Sequence, residues 1–224
     1  MVTIAKTTGA FSRKISPLSL LIPSKLKVLL SLGFKGYLAE KGWFSAFQTK
    51  SSIDEHGNPI PWVTYSFIDF ISDRINDTHD LFEYGSGNST IFYASRARSV
   101  YAVEHNRQWF TRNLMQQLSN VEMAYRKLGM DDAYAKCTLQ TDRKFHIIIV
   151  DGRDRVKCCK YAVKALSEDG VIVLDDAERP QYAEALRFLA NNGFRNIPFS
   201  GIAPGVIVSK VTTIFYKEKN CLGI

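Results

Sequence analysis

The chain has 224 residues, 46% of them apolar, which suits one domain with an extension and a sizeable core. No run of about 18 uninterrupted apolar residues occurs, so no hydrophobic membrane-spanning helix is expected. The formal charge of +7 is unevenly placed: residues 1–50 hold eight Lys/Arg against the single acid Glu40, which leaves residues 51–224 neutral and makes any basic surface a property of the N-terminal segment.

Residues 1–20 show no clear period and read as a loose arm whose start lacks the apolar stretch and cleavage site of a secretory signal. From Ser24 to Leu38, Leu26, Leu29, Leu30 and Phe34 alternate with Lys25, Lys27 and Lys35, predicting a short, imperfect amphipathic helix. Such a helix either caps its own domain or meets an anionic surface, so peripheral membrane contact through residues 1–50 stays open. Residues 51–61 are dense in Ser, Asp, Gly, Asn and Pro and predict a loop. That loop marks the boundary between a basic helical extension (1–61) and the main domain (62–224). A helix follows through Ile75, with Phe67, Ile68, Ile71 and Ile75 inward.

Beyond residue 80 strands and helices alternate: strand 80–84, helix 89–97, strand 99–104, helix 107–118 behind Asn106 as N-cap, and strand 121–126. Phe110, Leu114 and Leu118 form the apolar row of the second of these helices. A short helix at 131–138 precedes the β-branched run Phe145–Val150, which reads as a central strand buried on both faces. Helix 155–167 is expected to face inward with Val156, Cys159, Val163 and Leu166. Glu168-Asp169-Gly170 then turns into strand 171–175, and Pro180 opens a helix to about residue 191. The last strands, 194–199 and 206–216, are joined too closely for a parallel crossover, so they must run antiparallel. The expected fold is α/β, a doubly wound, seven-stranded, mostly parallel sheet with an antiparallel C-terminal hairpin. Cys137, Cys158, Cys159 and Cys221 show no C-x-x-C spacing and suggest a reduced, cytoplasmic protein.

Four acidic positions fall at the C-terminal ends of predicted strands: Glu83, Glu104, Asp151 and the pair Asp175-Asp176. Ligands of open α/β sheets bind outside those ends, so topology directs all four toward one crevice. Gly85-Ser86-Gly87 is a tight turn after the first strand. Ser89 and Thr90 open the next helix, where free N–H groups face a ligand. Glu104, 19 residues after Gly85, suits a carboxylate accepting from two ribose hydroxyls. The third glycine of a dinucleotide pattern is missing; Asn88-Ser89-Thr90 stand there.

These segments (Glu83–Ser89, Val103-Glu104-His105, Val150-Asp151-Gly152 and Leu174-Asp175-Asp176, with the closing hairpin) resemble the class I S-adenosylmethionine-dependent methyltransferases over about residues 62–217. The resemblance implies S-adenosyl-L-methionine as cofactor. Glu83, Tyr84, Gly85, Ser86 and Gly87 would hold its methionine part, supported by Ser89 and Thr90. Glu104 would bind its ribose and His105 would lie beside its adenine. Leu128-Gly129-Met130 would touch the adenine edge, Trp62 would fold over the cofactor, and Asp151 would face the transfer centre. The connection from 127 to 143 is short for the helix usual there. Asp151 with Asp175-Asp176 is also similar to the metal-dependent O-methyltransferases, in which such acids hold magnesium. The lysine expected after Asp151 is absent here, and Arg153 and Asp154 stand near that place. Without metal, Asp151 or Asp176 would be the catalytic base and Arg153 would hold an anionic substrate. The resulting expectation is methylation of a small-molecule or glycan acceptor, O-methylation favoured. The alternatives are an NAD-dependent oxidoreductase and a non-catalytic cofactor-binding protein with a basic docking arm. A nucleic-acid substrate is disfavoured, because Asp-Gly-Arg-Asp replaces the Asn-Pro-Pro-Tyr type of motif.

Overall fold

The structure, a computed structural model, describes residues 17–114, 118–129 and 131–224. A 3-10 turn leads into α1 (Pro23–Ser31), α2 (Tyr37–Glu40) and α3 (Trp43–Thr49), and α4 (Tyr65–Ser72) precedes the sheet. In order follow β1 (Asp80–Tyr84), α5 (Asn88–Ala94), β2 (Ser99–Glu104), α6 (Arg107–Leu114), β3 (Val121–Tyr125), α7 (Cys137–Gln140) and β4 (Phe145–Val150). The chain ends with α8 (Arg155–Ala165), β5 (Leu166–Leu174), α9 (Ala183–Asn191), β6 (Arg195–Gly201) and β7 (Lys210–Tyr216).

The seven strands lie in the order β3-β2-β1-β4-β5-β7-β6. The first five are parallel, and β7 runs antiparallel to both β5 and β6. The order turns back between β1 and β4, which opens a crevice at their C-terminal ends. Central position dictates the composition of β4. Phe145, Ile148 and Val150 pack on one face with Tyr84, Cys158 and Cys159, while Ile147 and Ile149 pack on the other with Phe67, Ile71 and Leu81. A strand covered on both faces cannot afford the polar alternation of a half-exposed one.

Several boundaries differ from expectation for local reasons. The buried side of α8 is Arg155, Cys158, Cys159, Ala162 and Ala165; Val156 and Val163 sit at its margin, because small residues let the helix lie close to the sheet. Glu168-Asp169-Gly170 lies inside β5 rather than before it, at a register irregularity opposite Phe145 and Ile147. A Cβ at Gly170 would stand 2.9 Å from the Phe145 carbonyl oxygen, so glycine permits this close pairing. The helix expected at 131–138 is instead the single turn of α7. The Leu114 side chain, residues 115–117, Met130 and the arm to residue 16 lie outside the described residues. Trp43 and Ile60, on the N-terminal side of residue 62, are buried in the same core cluster as Val63 and Phe67. By contrast, α1 buries no residue.

Candidate functional site

At the crevice, β1 delivers Glu83 and then turns sharply. Gly85 has φ 107°, a conformation that side-chain-bearing residues avoid, and its backbone lies against Asp151. Gly152 across the crevice is packed harder: an added Cβ would meet the Tyr134 hydroxyl at 2.0 Å and the Tyr84 carbonyl oxygen at 3.0 Å. Tyr84 itself points away, its hydroxyl donating to the Ala135 carbonyl at 2.6 Å. These contacts hold the ends of β1 and β4 side by side around a cavity of about 540 Å³.

Glu83 is buried beneath the turn. Ser89 Oγ and Thr90 Oγ1, from the first turn of α5, donate to its two carboxylate oxygens, and Thr90 Oγ1 also accepts from Gly87 N–H at 3.0 Å. Burial pushes its pKa up to about 7, against those hydroxyls, with the nearby Glu104 adding to the rise. Glu104, at the end of β2, has its two oxygens in different roles. Oε1 accepts from the backbone N–H of His105 and Asn106 at 2.8 and 2.7 Å, while Oε2 takes only Ser86 Oγ at 3.3 Å and keeps acceptor capacity toward the cavity. His105 Nδ1 lies 2.9 Å from Oε1.

The cavity is lined by Trp62, Glu83–Gly87, Ser89, Glu104, His105, Asp151 and Arg153, all candidates from the sequence. Trp62 is anchored by its indole N–H donating to the Pro204 carbonyl at 2.9 Å. Thr90 acts from behind, through Glu83. Gly129 does not line the cavity, and its neighbour Met130 lies outside the described residues.

Lining residues outside those candidates include Lys50, Ser51, Ser52, Ile60, Asn88 and Trp109. Asn88 donates to the Ser52 carbonyl at 2.7 Å, tying the 51–61 loop to the start of α5. Trp109 donates its indole N–H to the Ser86 carbonyl at 2.5 Å and lies beside Gly87. Its signal was available. Asn106 caps α6 by accepting from Trp109 N–H at 3.0 Å, which puts residue 109 in the first turn beyond a crevice-forming strand.

The other half of the crevice corrects the acid reading. Asp175 and Asp176 do not reach the cavity; they are 1% and 3% exposed and are engaged by cations. Arg155, from the start of α8, lies 2.9 Å from Asp151 Oδ1, 3.6 Å from Asp175 and 3.3 Å from Asp176. Lys210, opening β7, lies 2.9 Å from Asp175 Oδ2 and 3.0 Å from Asp176 Oδ1. Thr212 donates to Asp175 at 2.8 Å, and Arg179 lies 3.0 Å from Asp176. Burial, which disfavours the Lys210 ammonium, is outweighed by Asp175, Asp151 and Asp176, which raise its pKa. A divalent ion needs these carboxylate oxygens free, and three protein cations hold them. Among the described residues no group of three His, Cys, Asp or Glu side chains is placed to hold a metal. The residues therefore do not fit magnesium, and Asp176 is not positioned to be a base. Asp151 differs from the pair because it also borders the cavity. Burial and Asp175 push its pKa well above the carboxylate range, opposed by Arg155 and Lys210.

No protein-family profile and no curated protein sequence matches the chain. Solved structures do. A precorrin-6y C5,15-methyltransferase from Geobacter metallireducens superposes with a TM-score of 0.52 at 16% identity, covering 68% of this chain and 88% of that one. A precorrin 8w decarboxylase from Methanobacterium thermoautotrophicum gives 0.51 at 18% identity, covering 67% and 88%. A candidate methyltransferase from Streptococcus mutans, in complex with SAH, gives 0.50 at 14%, covering 66% and 94%. The fold is that of the class I S-adenosylmethionine-dependent methyltransferases. In this methyltransferase fold the cavity lies at the ends of β1, β2 and β4, the strand ends to which the sequence motifs point. No helix among the described residues is long and apolar enough to cross a membrane.

Proposed function

We propose that the protein transfers a methyl group from S-adenosyl-L-methionine to a hydroxyl of a small-molecule or glycan acceptor. The observation that carries this reading is the buried Glu83 carboxyl beneath the glycine turn, held by Ser89 and Thr90. A dinucleotide would bring its pyrophosphate to that helix start, against an acid with Glu104 close by. An ammonium group gains what a phosphate loses there. The cavity's residues fit the cofactor: Glu83 for the ammonium, Glu104 Oε2 for the ribose hydroxyls, and His105 and Trp109 as walls. When bound, the cofactor supplies an electrophilic methyl group, and methylation of a hydroxyl releases one proton.

Asp151 is the base that takes this proton, since it is the acid at the end of β4 that borders the cavity, and burial with Asp175 beside it raises its proton affinity. Arg153, exposed at the rim and in no ion pair among the described residues, would hold an anionic group of the acceptor. Magnesium has no part in this reading. The test is calorimetry with S-adenosylhomocysteine and, separately, with NAD, followed by labelled methyl transfer from S-adenosylmethionine across an acceptor panel. Heat with S-adenosylhomocysteine and none with NAD is expected; heat with NAD alone would overturn the assignment. Activity that survives a chelator but falls at least about a hundredfold in Asp151→Asn is expected for a base acting without metal.

A further inference from the structure

Ten of the seventeen large apolar side chains exposed among the described residues fall between Leu18 and Tyr37. That concentration makes a patch, where scattered single residues would need no explanation. Within it, Ile22, Leu26, Leu29 and Leu30 recur at i, i+4, i+7 and i+8 along α1, forming one apolar stripe. At helical spacing, Lys25 and Lys27 fall on opposite flanks of this stripe, and Ser24 and Ser31 fall behind it. Phe34, 90% exposed, and Lys35 follow directly. No acid occurs in the sequence before Glu40.

We propose that α1 and the turn through Phe34 dock in the plane of an anionic membrane surface. Leu26, Leu29 and Leu30 would enter the boundary between headgroups and acyl chains, with lysines on either side meeting lipid phosphates. Charge selects this occupant. Lysines on both flanks with no acid among them suit a continuous anionic plane, and their long stems let the apolar stripe sink while the ammonium groups stay at headgroup level. A nine-residue helix is too short to span a bilayer, so it lies along the surface. No residue of α1 is buried, so no described part of the chain covers the docking face. This inference does not depend on the methyl-transfer reading.

The test is flotation of the full-length protein with phosphatidylcholine vesicles, with and without phosphatidylglycerol. Partitioning only with the anionic lipid is expected. Neutralising each lysine should weaken it about fivefold, so Lys25→Gln with Lys27→Gln loses more than tenfold. Leu29→Glu with Leu30→Glu should abolish it, and neither variant should move the thermal midpoint. Absence of binding to anionic vesicles would overturn the proposal, as would undiminished binding of the leucine variant. A concentration-dependent doubling of mass in light scattering, reversed by the leucine variant and without flotation, would also overturn it and assign the patch to a second copy of the chain.

Discussion

The two halves of the crevice use the same residue type for opposite ends. At β1 and β2, Glu83 and Glu104 are met by hydroxyls and backbone N–H groups, which orient the carboxylates without neutralising them. At β5, Asp175 and Asp176 are met by Arg155, Lys210 and Arg179, which spend those acids on joining α8, β5 and β7, whereas Asp151 at the end of β4 gives one oxygen to Arg155 and borders the cavity. In the proposed reading, the acids met by neutral donors are the binding groups. The charge of the partner, more than the position of the acid, separates this proposed recognition half from the structural half.

The comparison breaks most visibly at Arg155. Arg155→Leu takes the guanidinium from Asp151 and from the buried pair Asp175 and Asp176, leaving that pair to Lys210 and Arg179, and breaking such a network should cost about 3–5 kcal/mol in urea unfolding. A loss below about 1 kcal/mol would mean that these acids are not held by the cation. Glu83 should produce the next largest effect, and it should appear in pH dependence. Its pKa is about 7 in the folded protein against 4.5 for a free carboxyl, so the folded state keeps its proton longer. The stability this provides is complete below pH 4.5 and lost as pH rises to about 7, amounting to about 3 kcal/mol. The difference in unfolding free energy between wild type and Glu83→Gln should change across that window and stay flat above it. Affinity for S-adenosylhomocysteine should move the other way, rising toward pH 7 as the carboxylate forms.

The open half was largely legible in the sequence and the closed half was not. Glu83, the glycine turn and Glu104 are read from local order, a strand run followed by a turn and a helix start, and their partners Ser86, Ser89 and Thr90 stand within a few residues. The partner that seals Asp175 is Lys210, 35 residues later on an antiparallel strand, and no local pattern joins the two. Arg155 was near enough to notice, yet it read as one of a charged run entering a helix. The contacts that tie residues before 62 to the core are distant in the same way. Trp43 reaches the core through a tertiary contact, its indole donating to the Val206 carbonyl at 3.0 Å, while composition marked only the polar loop beside it.

Glu104 tests the recognition half by affinity. Glu104→Gln keeps an oxygen for the N–H groups of His105 and Asn106 but removes the charge on the side facing the cavity. Hydrogen bonds to a charged group are worth about 1.5–3 kcal/mol, so S-adenosylhomocysteine should bind about tenfold to a hundredfold more weakly while the thermal midpoint of the ligand-free protein barely moves. An unchanged Kd would remove the ribose assignment.

The smallest expected effect concerns how the open half stays in shape. Its acids carry no neutralising cation to lock them, so the turn that presents them needs another constraint, and Trp109 provides one by donating to the Ser86 carbonyl. Trp109→Phe keeps an aromatic face beside Gly87 and deletes the single donor. Trp109 is 42% exposed, so water can replace that donor and folding stability should change by less than about 0.5 kcal/mol. The turn would then be free to move before ligand binds, and about 1 kcal/mol of lost preorganisation should appear as a roughly fivefold weaker Kd for S-adenosylhomocysteine in calorimetry. Equal affinity in the variant would mean that Gly85 packed against Asp151 is enough to hold the turn, and that the two halves of the crevice are braced from the same side.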